Sequence, residues 1–231
     1  MSLKNKSVLV TGGAGFIGSH LVDRILKDKP EKVVIVDNFF LGKHRNIEQA
    51  MKGSDAVKLY YQDAGHYEKM KNIFEIEAID IVFNLAVVPL LTSHTLPKIT
   101  CEDNINITLS VLELQREGHF KTLIQCSSSE AYGTAQEHAM SESHPLNPTT
   151  PYAASKAASD LLTTSYHNTF GLDLSIVRPF NNYGPRQNEG SYAGIIPITI
   201  KRLTEGKKTI IYGAGLQRRD SIHVSDTVEY M

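Results

Sequence analysis

Short apolar runs alternate with helix-periodic segments along the first 178 residues. Runs rich in β-branched residues predict strands at 7–11, 32–37, 57–61, 79–84, 122–127 and 174–177. Apolar residues spaced three or four apart predict helices at 16–26, 67–76, 104–117 and 152–170. Several of these strands are apolar on both faces, and strands alternate with helices. The pattern therefore predicts an α/β fold with a doubly wound parallel sheet, whose ligand lies at the carboxyl ends of the strands.

The pattern changes after Arg178. Turn-forming residues dominate 181–187, and a polar loop follows at 188–194. The remaining predicted elements are a helix at 197–205, a short strand at 209–212 and the first turns of a helix at 225–230. The sequence stops inside that last helix without a cap, so we expect a C-terminal truncation. We divide the chain into a domain at 1–178 and a partial region at 179–231.

Composition excludes several classes of function. The 231 residues include 24 Lys+Arg and 25 Asp+Glu, a formal charge of −1 with His neutral, which disfavours non-specific binding to nucleic acid. Neither a long apolar span nor a signal pattern is evident, so we expect no membrane partner and a cytoplasmic location. Cys101 and Cys126 are too few for a disulfide framework, and His94, His138 and His223 lack metal-ligand spacing. We expect no metal.

Three glycines lie directly between the first predicted strand and the first predicted helix. Gly12, Gly15 and Gly18 leave backbone N–H groups and the helix N-terminus open to a pyrophosphate. Asp37 ends the second strand, 19 positions after Gly18, where a carboxylate can accept both ribose hydroxyls and would repel a 2′-phosphate. This arrangement predicts NAD rather than NADP. Asp63, after the third strand, is a weaker candidate for the adenine amino group.

A tyrosine and a lysine four residues apart suggest redox chemistry. Tyr152 and Lys156 lie on one face of a predicted helix. A nearby cation favours the phenolate, so we expect Tyr152 to exchange a proton near neutral pH while hydride moves to nicotinamide. Residues 127–129 form a serine run at the end of the preceding strand, where a hydroxyl can hold the same substrate oxygen.

Together these residues resemble the NAD-dependent nucleotide-sugar epimerase/dehydratase family of the extended short-chain dehydrogenase/reductase superfamily. The matching segments are 11–18, 127–133, the Tyr152–Lys156 pair, 178–186 and 217–220. The resemblance covers essentially the whole chain. It implies a Rossmann-like NAD-binding domain with the catalytic residues at 1–178, and part of a nucleotide-sugar-binding region at 179–231. It also implies a homodimer that pairs the helices near 104–117 and 152–170.

The resemblance also implies roles for individual residues. Ser128 takes the Ser/Thr role, Tyr152 is the acid/base, and Lys156 holds the ribose and tunes the tyrosine. The expected catalytic set is Ser128, Ser129, Glu130, Tyr152 and Lys156. The expected NAD-binding set is Gly12, Gly15, Phe16, Ile17, Gly18, Asp37, Asn38, Asp63, Ala64, Leu85, Ala86, Asn104, Tyr152 and Lys156. The expected contacts to a nucleoside-diphosphate sugar are Asn181, Asn182, Arg186 and Arg219.

The family divides after a common oxidation of sugar carbon 4, and Glu130 is the informative position. The resemblance places Glu130 where dehydratases carry their carbon 5 base, and decarboxylases also carry a glutamate there. Ser129 points the other way, because one dehydratase subgroup has Asp at that position and another has Ser. We favour a 4,6-dehydratase, with a UDP-hexose 4-epimerase and then a UDP-glucuronate decarboxylase as alternatives. A net ketone reductase and a non-catalytic NAD-binding protein are the remaining hypotheses.

Overall fold

The computed structural model describes residues 2–211 and 213–231 and is organised around one parallel sheet. Its strands are β1 (Ser7–Thr11), β2 (Lys32–Asp37), β3 (Val57–Tyr61), β4 (Ile81–Asn84), β5 (Thr122–Cys126) and β6 (Asp173–Val177). Their order is β3-β2-β1-β4-β5-β6. Strands β2 and β3 lie on one side of β1, and β4, β5 and β6 lie on the other, so the strand order reverses between β1 and β4. Such a reversal creates a crevice for ligands at the carboxyl ends of the strands.

Helices cover both faces of the sheet. The helices of the described residues are α1 (Phe16–Lys27), α2 (His44–Gly53), α3 (Tyr67–Glu77), α4 (Leu90–Ser93), α5 (Pro97–Arg116), α6 (Pro151–Phe170), α7 (Ile195–Thr204) and α8 (Val224–Tyr230), of which α7 buries no residue. One core cluster joins β1 and β2 to α1, with Leu21 and Ile25 fully buried. The other joins the opposite face to α3 and α5, with Met70 and Leu112 fully buried. Two separate apolar layers on one parallel sheet confirm the predicted Rossmann-like fold class.

The predicted elements and the structure differ at a few places. The helix predicted at 104–117 begins at Pro97, because a proline at the first helical position needs no N–H partner. Both α2 and α4 are absent from the prediction, since α2 buries little apolar surface and α4 spans one turn. The strand predicted at 209–212 is wrong for residues 209–211, which form no strand, and Tyr212 lies outside the described residues.

Residues 179–231 form a second small sheet and return to the first domain. Strands β7 (Asn181–Tyr183) and β8 (Ser221–His223) pair in parallel. Helix α8 then packs against α1, placing Val224 and Val228 in the same core cluster as β1 and β2. Part of the second region thus shares the core of the first, while the division at 178 stays a prediction.

Candidate active site

The turn between β1 and α1 leaves no room for side chains. Gly12 has a positive φ of 66°, and a Cβ on it would lie 2.9 Å from the backbone nitrogen of Ala86. A Cβ on Gly18 would lie 2.2 Å from the carbonyl oxygen of Gly12. Gly15, which precedes α1, supplies no side-chain cap for the first helical N–H groups. These N–H groups and the helix dipole can therefore face an anion.

Asp37 at the end of β2 holds this turn in place. Its carboxylate accepts hydrogen bonds from the backbone N–H of Ala14 at 2.9 Å and of Phe39 at 2.8 Å. Burial raises the pKa of Asp37, and the two backbone bonds offset part of that effect. The side-chain amide of Asn38 donates to the carboxylate of Asp63 at 2.9 Å, so two further residues of the predicted NAD-binding set contact each other. The carboxylate oxygens of Asp37 keep further lone pairs for ribose hydroxyls.

A cavity of about 490 Å³ extends from the glycine turn to the end of β5. This volume falls within the range of small-molecule sites. It is lined by these predicted residues: Gly12, Gly15, Phe16, Ile17, Gly18, Asp37, Asn38, Asp63, Ala64, Leu85, Ala86, Ser128, Tyr152, Lys156 and Asn182. The predicted residues outside its lining are Ser129, Glu130, Asn104, Asn181, Arg186 and Arg219. The structure thus brings most of the proposed cofactor site together with three of the five proposed catalytic residues.

A buried polar chain fixes the strand ends beneath this cavity. The hydroxyl of Thr11 donates to Asn84 Oδ1 at 2.6 Å and accepts from the N–H groups of Leu85 and Ala86, both at 3.0 Å. Asn84 in turn donates to Gln125 Oε1 at 2.8 Å. The chain links β1, β4 and β5 and sets the path of the loop after β4. It therefore holds one wall of the cavity against the glycine turn.

Tyr152, Lys156 and Ser128 meet at the catalytic end of the cavity. A hydrogen bond joins Tyr152 to Ser128, while Lys156 Nζ donates to the carbonyl oxygen of Cys126 at 2.6 Å. Burial raises the pKa of Tyr152 well above its usual value. Burial also lowers the pKa of Lys156. Burial therefore acts on Tyr152 in the opposite direction to the nearby cation that we expected to favour the phenolate, and the role of Lys156 in tuning Tyr152 stays a prediction.

Ser129 and Glu130 stand beside the cavity in a single 3₁₀ turn, Ser129–Tyr132. The hydroxyl of Ser128 caps this turn by accepting from the N–H of Glu130 at 3.2 Å. The N–H of Ser129 donates to the carbonyl oxygen of Pro179 at 3.1 Å. Glu130 is half-buried, and its negative charge adds to the raised pKa of Tyr152. The carboxylate therefore acts on the tyrosine electrostatically without lining the cavity.

Asn104 positions the cavity wall from α5. Its side-chain amide accepts from the N–H of Val88 at 2.7 Å and donates to the carbonyl oxygen of Val88 at 3.1 Å. It also donates to the hydroxyl of Ser155 at 2.9 Å. Asn104 thus joins the loop after β4 to α6, one residue before Lys156.

The four predicted sugar-contacting residues separate in the structure. Asn182 lines the cavity, whereas the Asn181 amide donates to the carbonyl oxygen of Asp220 at 2.8 Å. The guanidinium of Arg186 forms an ion pair with Asp23 on α1 at 2.7 Å. Arg219 is exposed and donates to the carbonyl oxygen of Arg218 at 2.8 Å. Only Asn182 of the four borders the cavity among the described residues.

Several cavity residues escaped the sequence prediction. Phe40 lines the cavity and packs edge-on against Tyr192, with ring centroids 6.2 Å apart. Tyr192 also accepts a hydrogen bond from Thr92 at 3.2 Å, and Asn188 lines the cavity from the same loop. The loop 188–194 therefore crosses from one side of the cavity to the other. The polar character of that loop was visible in the sequence, but its partners are distant along the chain.

Across residues 2–211 and 213–231, no group of three or more His, Cys, Asp or Glu side chains is arranged to hold a metal ion. None of the helices in the described part of the chain is both long and apolar enough to span a bilayer.

Comparison with known proteins identifies the family. Residues 8–231 match the model of the NAD dependent epimerase/dehydratase family. The chain therefore belongs to the NAD-dependent epimerase/dehydratase family, which confirms the resemblance and NAD as the cofactor. Family membership also supports the assignment as an enzyme.

Relatives with different activities are equally similar to this chain. It is 34% identical to the UDP-glucose 4-epimerase of Mycolicibacterium smegmatis, over 96% of this chain and 70% of that protein. It is also 34% identical to the dTDP-glucose 4,6-dehydratase of Actinoplanes sp., over 95% of this chain and 69% of that protein. The structure of dTDP-glucose 4,6-dehydratase from Streptomyces venezuelae with NAD bound matches at a TM-score of 0.88 and 30% identity, covering 96% of this chain and 70% of that one. Identity alone does not separate the two activities.

The residues present fit NAD. The glycine turn forms a cradle that Cβ atoms on Gly12 and Gly18 would fill, which suits a pyrophosphate lying against the backbone. At the other end, Ser127 lines the cavity, and its buried hydroxyl has no hydrogen-bond partner among the described residues. A buried hydroxyl of this kind normally has a partner, and a polar group of a bound ligand can serve.

Proposed function

We propose that this protein is a nucleoside-diphosphate-hexose 4,6-dehydratase that keeps its NAD through a redox-neutral cycle. The observation that carries the proposal is the position of Glu130. Its backbone N–H donates to the Ser128 hydroxyl at 3.2 Å, and the negative charge of its carboxylate acts on Tyr152. A simple carbon 4 oxidation needs the Ser, Tyr and Lys side chains alone, whereas elimination across carbons 5 and 6 needs a further base.

Each side chain has a distinct part in the proposed reaction. When bound, NAD accepts the hydride from sugar carbon 4 and later returns it to carbon 6. Tyr152 takes the proton of the carbon 4 hydroxyl, and Ser128 hydrogen-bonds the same oxygen. Glu130 takes the carbon 5 proton. Ser129 hydrogen-bonds the carbon 6 hydroxyl, which gains a proton from solvent and leaves as water, so that a double bond forms between carbons 5 and 6. The returning hydride then adds to carbon 6, and a proton from solvent adds to carbon 5. Lys156 holds the ribose and places positive charge near Tyr152, which opposes the effect of burial on its pKa.

A 4-epimerase is the second candidate, and one observation favours it. Glu130 does not line the cavity, which favours a reaction that needs no base at carbon 5. In an epimerase, Glu130 would brace the 3₁₀ turn only, and the ketone would rotate before hydride returns to carbon 4. A decarboxylase would use the same residues on a uronic acid.

Proton NMR in deuterium oxide tests the proposal. The chain is incubated with UDP-, dTDP- and GDP-hexoses without added cofactor. A 4-keto-6-deoxy product with deuterium at carbon 5 would support the dehydratase, because the carbon 5 proton exchanges with solvent. A carbon 4 epimer without deuterium would replace it with the epimerase. In a parallel incubation with added reduced cofactor, net consumption of that cofactor would replace both with a reductase.

A matched pair of variants separates the two proton-transfer roles. We expect Tyr152→Phe to slow conversion by about 10²–10⁴-fold, because the phenol that exchanges a proton with the carbon 4 hydroxyl is removed. We expect Glu130→Gln to retain hydride transfer from carbon 4 but to form no 6-deoxy product. NAD affinity, measured by calorimetry, serves as the control for Glu130→Gln and stays within a few-fold of the parent. A Tyr152→Phe variant as active as the parent would overturn the mechanism.

We also propose a homodimer that pairs α5 and α6 with their copies. Three apolar side chains on these helices support the pairing, because they remain exposed: Ile99, Leu161 at 62% and Phe170 at 51%. Light scattering tests the mass in solution. We expect Leu161→Glu to lower it from a dimer to a monomer, and a monomeric parent chain would contradict the proposal.

A further inference from the structure

A buried carboxylate lies one helical turn beyond the catalytic lysine. Asp160 is 1% exposed and follows Lys156 by four positions on α6, so the two side chains share a helix face. Asp160 Oδ2 accepts from Arg178 Nε at 2.6 Å. Its other oxygen, Oδ1, is buried and has no hydrogen-bond partner among the residues that the structure describes. A fully buried charged oxygen without a partner calls for an explanation.

The charged groups around Lys156 come from three elements. Asp160 and Tyr152 lie on its own helix, and Cys126 presents its carbonyl oxygen to Lys156 Nζ and its thiol nearby from β5. Arg178, just after β6, faces Asp160 and also donates to the Tyr132 hydroxyl at 3.0 Å. Burial lowers the pKa of Lys156, and the charges of Cys126 and Asp160 oppose that effect. Arg178 is the cation that competes for Asp160.

We propose that Asp160 is the counter-ion that keeps the buried Lys156 ammonium charged, and that Arg178 sets the position of this counter-ion. The inference rests on the proposed role of Lys156 beside Tyr152. Asp160 is a positioning residue in this scheme, because it touches neither the cavity nor the reacting atoms. Its bond to Arg178 at 2.6 Å occupies Oδ2, and Oδ1 keeps no hydrogen-bond partner among the described residues.

The two members of the pair make opposite predictions, which gives a matched control. Asp160→Asn removes the negative charge and leaves Arg178, so Lys156 loses its proton at lower pH. Arg178→Gln removes the competing cation and keeps the carboxylate, so Lys156 loses its proton at the same or a higher pH. A merely structural role would affect both variants in the same direction, because each breaks the same hydrogen bond.

Lysine labelled at Cε and Nζ permits the titration of Lys156 to be followed by NMR, with its signal assigned from Lys156→Arg. We expect the midpoint in Asp160→Asn to move about one pH unit toward acid, equivalent to about tenfold. NAD affinity by calorimetry should then fall about tenfold relative to the parent on the alkaline side and change little on the acid side. Asp160→Glu, which keeps the charge, should restore both.

An Asp160→Asn variant that titrates like the parent would overturn the proposal. If that variant does not fold, as judged by circular dichroism, Arg178→Gln decides, because an acid shift of Lys156 there would overturn the proposal equally. Neither readout requires a sugar substrate. A shifted Lys156 titration together with no conversion of any hexose would therefore reject the proposed function while supporting the role of Asp160.

Discussion

Thr11 is the residue whose replacement tests most directly how the cavity wall is held. It is fully buried, and its hydroxyl serves three partners from β4 and the loop after it: Asn84, Leu85 and Ala86. Thr11→Val preserves shape and removes the hydroxyl. The N–H of Leu85 keeps a second bond to the carbonyl oxygen of Thr11 at 3.3 Å, so two groups lose their partner.

The magnitude follows from those two groups. Each buried polar group left without a partner costs about 1–3 kcal/mol. The gain from burying one extra methyl group is about 1 kcal/mol. We therefore expect Thr11→Val to reduce the free energy of unfolding by about 3 kcal/mol, which lowers Tm by about 6–12 °C for a chain of this length.

Urea denaturation of the parent and of two variants measures this difference. Thr11→Ser is the matched control, because it keeps the hydroxyl and loses only a methyl group, at a cost of about 1 kcal/mol. The ordering parent, Thr11→Ser, Thr11→Val is the expected result. If Thr11→Val proves as stable as Thr11→Ser, the polar chain beneath the cavity does not hold its wall, and the reasoning fails.

The remaining predictions concern the phosphate turn and acid stability. Gly18→Ala places a Cβ 2.2 Å from the carbonyl oxygen of Gly12, so the turn must shift. We expect calorimetry to show NAD binding weakened at least about tenfold. Gly53→Ala is the control, because its Cβ meets nothing within 4 Å. Burial favours a raised pKa for Glu77, but hydrogen bonds from Lys32, Tyr60 and Lys58 outweigh it and lower the pKa to about 2. This carboxylate therefore stabilises the fold above its unfolded pKa of 4.5, and the contribution, up to about 3 kcal/mol, is lost as pH falls toward 2. Glu77→Gln should flatten the acid limb of stability measured by urea denaturation, and an unchanged limb would contradict the assignment.

The sheet was predictable because its signals are local. Each strand is a run of apolar residues buried on both faces, and each glycine of the turn reports a backbone constraint within a few positions. Helix α2 was missed because a mainly polar helix with little buried surface, including Ile47 and Ala50, has a weak apolar pattern. The start of α5 was missed because its first two turns are polar and partly exposed. Periodicity detects burial, and these segments have little of it.

The site was predictable only where the chemistry lies in short motifs. Tyr152 and Lys156 share a helix, so their spacing predicted their proximity. Thr11, Asp160 and Tyr192 contact partners 18 to 100 positions away. No spacing rule joins such pairs, because the sheet order and not the sequence brings them together. The spacing of Tyr152 and Lys156 predicted a nearby cation but not the burial that raises the pKa of Tyr152, because burial depends on the whole fold.

Helix α1 connects the cofactor cradle to the region that carries the candidate sugar contacts. His20 donates from Nε2 to the carbonyl oxygen of Pro185 at 2.9 Å, and Asp23 forms an ion pair with Arg186. Arg24 pairs with Glu229 on α8 at 2.6 Å. Two of these contacts fix the loop after β7 to the helix that follows the glycine turn, and the third fixes α8 to the same face of that helix. Arg186 therefore serves as a link between the two regions, which explains why its guanidinium points to α1 although its sequence motif suggested a sugar contact.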